Sequence, residues 1–143
     1  MIIGVLALQG AVREHIASLR QLGVDSRAVK TVEDLQGLQG LILPGGESTA
    51  MSLLGHSEML PQLSQLAKSD FPLFGTCAGM ILLAAEVEGR AAPHVGAIDI
   101  TVSRNATGRQ VDSFETKLQI EDIGDDVPAV FIRAPYIMRH GAS

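Results

Sequence analysis

Two short segments carry the residue types and spacing that chemistry would use. The sharper is Gly75-Thr76-Cys77-Ala78-Gly79, which holds the only cysteine of the chain. It lies between a short apolar run and a helical stretch. Glycines on both sides let the chain turn sharply there, so the central side chain stands exposed above a strand end, as in a nucleophile elbow with Cys in place of Ser. Such a sulfur lies beside a helix N-terminus, a setting that activates thiols. The N–H of Ala78 is then free to stabilise an oxyanion. The plainer alternative is that Cys77 is a small buried apolar residue, as most lone cysteines are. The second segment is Pro44-Gly45-Gly46-Glu47-Ser48. Its glycines can present backbone N–H groups to a carbonyl or carboxylate without a Cβ in the way. One of them, with Gly46 as the candidate, could then supply the second oxyanion donor. Alone, this segment is equally an ordinary glycine-rich turn.

Other candidates are weaker. Arg104 and Arg133 each follow an expected strand, where a guanidinium can meet a ligand carboxylate. His15 falls on a helix flank, His56 and His94 in loops, and His140 near the end. None has a spacing that marks a base or a metal ligand. One cysteine excludes an internal disulfide and a cysteine-cluster metal site.

The elements that position these residues follow from apolar patterning. Ile2–Leu8 is a short run apolar on both faces, as a central parallel strand requires. Val12 to Leu22 is a helix, with Val12, Ile16, Leu19 and Leu22 on one face and Gly23 as its cap. Strands follow at Val24–Val29, Gly40–Leu43 and Phe71–Gly75. Thr31 caps a short helix between the first two of these. After Leu43, Ser48 or Thr49 caps a helix, and a second runs from about Glu58 to Lys68. Ala78 to Ala85 is the next. Strand–helix alternation implies a doubly wound, mostly parallel α/β sheet with flanking helices. Ligands bind such sheets beyond the carboxyl ends of the strands, where both segments lie. After about residue 96 the pattern changes. Ala97–Ser103, Ser113–Ile120 and Ala129–Arg133 read as strands without long helices between them, an antiparallel extension.

The 143 residues fit one domain, 1–143. Apolar residues make up 46% and aromatics only 3%, giving an aliphatic core suited to a helix-covered sheet. The net charge of −5, with no run of basic residues, disfavours nucleic acid. No apolar stretch approaches the roughly 18 residues of a membrane span. No signal peptide is recognisable, so a cytoplasmic location is expected.

The motifs together resemble one family. They are Gly4-Val5-Leu6-Ala7-Leu8-Gln9-Gly10-Ala11-Val12-Arg13-Glu14-His15, Leu43 to Thr49, Phe74 to Gly79, Arg104-Asn105, Gly108-Arg109-Gln110-Val111-Asp112-Ser113-Phe114-Glu115 and Phe131-Ile132-Arg133-Ala134-Pro135. This set resembles the glutaminase subunits of pyridoxal 5′-phosphate synthase, which are class I glutamine amidotransferases with a flavodoxin-like fold. The resemblance runs to about Ile137. It implies hydrolysis of L-glutamine to glutamate and ammonia. The ammonia would pass to a barrel-shaped synthase subunit that builds the vitamin B6 coenzyme. It implies Cys77 as nucleophile, with Gly46, Glu47, Ser48, Arg104, Ile132 and Arg133 holding glutamine. Gln9-Gly10 would lie near the oxyanion hole and the partner surface. No metal or cofactor is implied in this subunit. The family completes its triad with a His-x-Glu pair near the C-terminus. No such pair occurs near the end of this chain, which reads as C-terminally incomplete relative to the family. Two expectations follow: weak turnover, or a non-catalytic partner-binding role, and an exposed apolar sheet edge or face.

Overall fold

The computed structural model describes residues 1–55, 58–104, 113–132 and 134–141. Four parallel strands form the main sheet, in the order β2-β1-β3-β4. They are β1 (Ile2–Leu6), β2 (Asp25–Val29), β3 (Gly40–Leu43) and β4 (Leu73–Gly75). Register is set by Val5 opposite Ala28 on one side and Ile42 on the other, and Leu43 then pairs with Gly75. That last pairing brings the ends of β3 and β4 level. The loops that follow them, 44–47 and 76–77, are therefore neighbours at one rim of the sheet.

Helices connect the strands, as parallel pairing requires. They are α1 (Val12–Gln21), α2 (Ser48–Gly55), α3 (Met59–Lys68) and α4 (Ala78–Leu83). One buried cluster runs through Leu6, Val29, Leu41, Leu43, Met51, Leu63 and Leu82. Its buried side chains are Leu, Val, Met and Ala, with no buried aromatic among them. Leu22 does not join it; the side chain is 76% exposed, because α1 ends at Gln21 and Leu22 is already its cap.

Beyond end shifts of one or two residues, three elements differ from those expected. α4 stops at Leu83 because Ala84 turns extended, and Ala84–Val87 is strand β5. β8 spans Gly124–Phe131 rather than starting at Ala129. Among the described residues it pairs on one side only, with β7 (Phe114–Ile120), an arrangement that tolerates Pro128. Tyr136–His140, unassigned by patterning, forms β9. β9 runs antiparallel to β6 (Ile98–Ser103), and β6 runs parallel to β5, giving a second, three-stranded sheet. Ala84 and Val87 of β5 and Ile100 and Val102 of β6 form a small buried cluster with Ile81 of α4. The antiparallel extension after residue 96 is thus present, as β6–β9 and the β7–β8 hairpin.

β4 ends the main sheet, and its Phe74 is 59% exposed. Beside it lies an open apolar trough of about 320 Å³, lined by Ile3, Leu19, Leu41, Ile42, Leu73 and Phe74 among others. An exposed apolar edge was the sequence expectation. Among the described residues, no helix is long and apolar enough to cross a membrane.

Candidate active site

Cys77 is exposed and adopts φ +50°, ψ −106°. A β-carbon-bearing residue in that region is strained. The turn is thus made by the cysteine itself, and not by the flanking glycines. Their role is close approach. A Cβ on Gly75 would lie 2.6 Å from the carbonyl carbon of Gly79 and 2.7 Å from Met80 N. A Cβ on Gly79 would fall on the carbonyl oxygen of Leu43. Only glycine at both positions lets α4 start directly against the ends of β3 and β4. The elbow is then held by backbone bonds. Thr76 N donates to Leu43 O (3.0 Å), Gly79 N to Thr76 O (2.9 Å) and Ile81 N to Cys77 O (3.2 Å). Ala78 is 1% exposed, directly behind the sulfur-bearing residue, and opens α4. Its N–H lies in the first turn, where no intrahelical acceptor exists.

The glycine loop packs on the elbow. A Cβ on Gly45 would sit 3.4 Å from Cys77 Cβ. Gly45 O accepts from Ala11 N (2.9 Å), which fixes this peptide. In a trans peptide the N–H of Gly46 must then point the opposite way. Gly10, at φ +101°, belongs here by necessity, because a side chain would strike Gly45 O. The Gln9 side chain accepts from Glu47 N through Oε1 (2.9 Å). The segment before α1 therefore dictates the shape of the glycine loop.

Glu47 supplies a cap that the sequence reading assigned to Ser48 or Thr49. Its Oε1 accepts from Thr49 N (3.0 Å) and its Oε2 from Ala50 N (2.7 Å). These two bonds, then the charge of Arg104, hold its carboxyl below the usual range. Arg104 Nη2 lies 3.5 Å from Glu47 Oε1 and donates to Thr49 Oγ1 (3.1 Å). The helix cap thus aims the guanidinium. Ser48 is 4% exposed. Asp34 reaches the other way along the chain: its carboxylate accepts from Lys30 N and Thr31 N.

Five of the expected residues line one cavity of about 210 Å³: Gly46, Glu47, Ser48, Cys77 and Arg104. Ile81, Ala134 and Pro135 complete its described wall, and patterning gave no reason to single them out. Ile132 is not part of that wall; it is 56% exposed just after β8. Arg133 and His56 lie outside the described residues. Among the described residues no three His, Cys, Asp or Glu side chains gather as a metal site would need.

The histidines separate. His15 Nε2 is 3.1 Å from Thr76 Oγ1, next to the nucleophile candidate. Only the tertiary fold shows that pairing, since 61 residues separate the two. His94 lies with Arg90 and Arg104 around an adjoining cavity of about 510 Å³. Its Nδ1 is buried without a partner among the described residues. Burial first, then the two arginines, lowers its pKa and favours the neutral ring. His140 is part of β9, with Nδ1 2.9 Å from Gly141 O. No described histidine ring is hydrogen-bonded to Cys77. A His-x-Glu spacing does occur at His56-Ser57-Glu58, between α2 and α3, but its histidine falls outside the described residues.

Comparison with known proteins bears on this arrangement. The model of the SNO glutamine amidotransferase family matches residues 5–143. Pyridoxal 5′-phosphate synthase subunit PdxT of Actinobacillus pleuropneumoniae serotype 5b (strain L20) is 56% identical over 140 residues, 98% of this chain and 72% of that protein. The subunit of the same name from Bacillus cereus (strain B4264) is 56% identical over 137 residues, 95% of this chain and 70% of that one. A glutamine amidotransferase crystal structure superposes with a TM-score of 0.89 at 44% identity, covering 99% of this chain and 76% of its own. PurLQS from Thermotoga maritima shares the fold alone, at 13% identity and a TM-score of 0.64, with 96% and 74% covered. The chain therefore belongs to the SNO glutamine amidotransferase family, and its function is that of the glutamine-hydrolysing, ammonia-donating subunit in pyridoxal 5′-phosphate synthesis.

Proposed function

We propose that residues 1–143 form a single glutaminase domain in which Cys77 attacks the side-chain carboxamide of L-glutamine. The observation that carries this is one cavity. It joins an exposed sulfur on a strained elbow to a glycine loop and a guanidinium aimed by a helix cap. In this reading the thiolate adds to the carboxamide carbon. The N–H groups of Gly46 and Ala78 receive the oxyanion. Arg104 takes the amino-acid carboxylate, with Arg133 and the Ile132 backbone beside it. Protonated nitrogen leaves as ammonia, and water then cleaves the thioester to glutamate. A pyridoxal 5′-phosphate synthase subunit accepts the ammonia. The segment around Gln9-Gly10 lies toward that partner, in the cytoplasm, and this subunit carries no cofactor.

A second reading is a partner-binding subunit of low turnover. It is favoured because no described histidine ring is hydrogen-bonded to Cys77. Amide nitrogen departs only when protonated, and in the tetrahedral adduct thiolate is the better leaving group. Without a general acid the adduct reverts. One experiment separates the readings. The 143-residue chain is treated with a chloroketone analogue of L-glutamine, and ammonia release is measured with saturating synthase subunit. Labelling at Cys77 with steady ammonia release supports the enzyme. Labelling and co-purification with little ammonia supports the second reading. An unlabelled Cys77 refutes both as accounts of this cavity.

A further inference from the structure

We propose that His15 is a positioning residue for the nucleophile, acting through its hydrogen bond to the Thr76 side chain. The proposal rests on the reading of Cys77 as a glutaminase nucleophile. A residue at φ +50°, ψ −106° persists only where its surroundings over-determine it. The backbone bonds around Cys77 reach β3 and α4. One of them, Thr76 N to Leu43 O, holds the elbow to the residue before the glycine loop; none spans the gap to the loop itself, which is held from the other side by Gln9 and Ala11. His15 closes that gap. It sits on α1, one turn after Ala11, and its Nε2 meets Thr76 Oγ1 at 3.1 Å in a part-buried contact.

Seven residues, Gln9 to His15, thereby touch both walls of the reaction site. Gln9 Oε1 holds Glu47 N, Ala11 N holds Gly45 O, and His15 holds Thr76. A helix turn is stiff, so these three bonds fix the separation between the sulfur and the loop that carries Gly46. That separation is what an attacked carboxamide experiences. His15 is not hydrogen-bonded to Cys77 and does not line the described cavity, and its Nε2 is already engaged. It is therefore a positioning residue and not the acid or base. Whichever tautomer the ring adopts, the threonine hydroxyl can donate or accept, so the tether survives the exchange.

Two probes of Cys77 test this on the full 143-residue chain. Iodoacetamide needs only an accessible thiolate. A chloroketone analogue of L-glutamine needs the sulfur and the glycine loop in register. His15→Ala should lower the maximal inactivation rate of the chloroketone about tenfold. Its half-saturating concentration and the iodoacetamide rate should stay within about twofold. Thr76→Val, nearly the same shape, should show the same loss, and the double variant no further loss. His15→Gln, which keeps a hydrogen-bonding group, should recover most of the rate. A merely structural histidine would shift both probes together and gain nothing from glutamine. Wild-type chloroketone kinetics in His15→Ala or Thr76→Val, or losses that multiply in the double variant, overturn the proposal. A wild-type chain alkylated by iodoacetamide but untouched by the chloroketone overturns the glutaminase reading itself, and this inference with it.

Discussion

Gly75→Ala tests whether glycine at the elbow serves close approach. The added Cβ would lie 2.6 Å from Gly79 C and 2.7 Å from Gly79 O and Met80 N, all backbone atoms of α4. That is about 0.9 Å inside the roughly 3.5 Å optimum for such a pair. Backbone cannot rotate away as a side-chain tip can, so the start of α4 must move by a comparable amount. Overpacking of this kind costs about 1–3 kcal/mol. For a chain of this size that is a fall in Tm of roughly 3–12 °C. Cys77 and Ala78 sit on the displaced segment. A misplacement near 1 Å costs about 10²-fold in a positioned reaction. The variant should therefore lose roughly ten- to a hundredfold in chloroketone labelling, measured by mass spectrometry at a temperature where circular dichroism shows it folded. Iodoacetamide should react within about threefold of wild type. Unchanged Tm and unchanged labelling would refute the packing argument. A lower Tm with wild-type labelling would show that the elbow does not need this contact to aim its sulfur.

Three further outcomes follow from the geometry. Arg104→Ala should raise the half-saturating chloroketone concentration by about ten- to a hundredfold, the worth of a charged hydrogen bond, with little change in iodoacetamide rate. Glu47 is held below its ordinary carboxyl range by two backbone N–H bonds, so its capping contribution is complete at neutral pH and fades as pH falls below 4.5. The difference in Tm between the wild type and Glu47→Ala should therefore be largest near pH 7 and shrink in acid. A difference that grows in acid would contradict the cap. Phe74→Lys should reduce self-association of the chain, read by light scattering at micromolar concentration, because it places charge on the exposed β4 edge beside the apolar trough.

Sequence alone carried the fold as far as local patterning can. β1, β3 and α3 were legible because continuous apolar runs and helical periodicity each report burial, and burial is what the main sheet imposes. The Cys77 elbow and the Gly45-Gly46 loop were legible because unusual residues marked strand ends. β9 and the true start of β8 were not. Tyr136–His140 and Gly124–Val127 are largely exposed, so no alternation records their pairing. Tertiary structure decided the rest. It made Cys77, and neither flanking glycine, the elbow residue with positive φ, at the point where α4 starts against Leu43. It turned Glu47 from a loop residue into the cap that aims Arg104. It placed His15 on Thr76 across 61 residues, a pairing with no local signature, because which face of α1 meets the elbow is set by how the helix lies on the sheet.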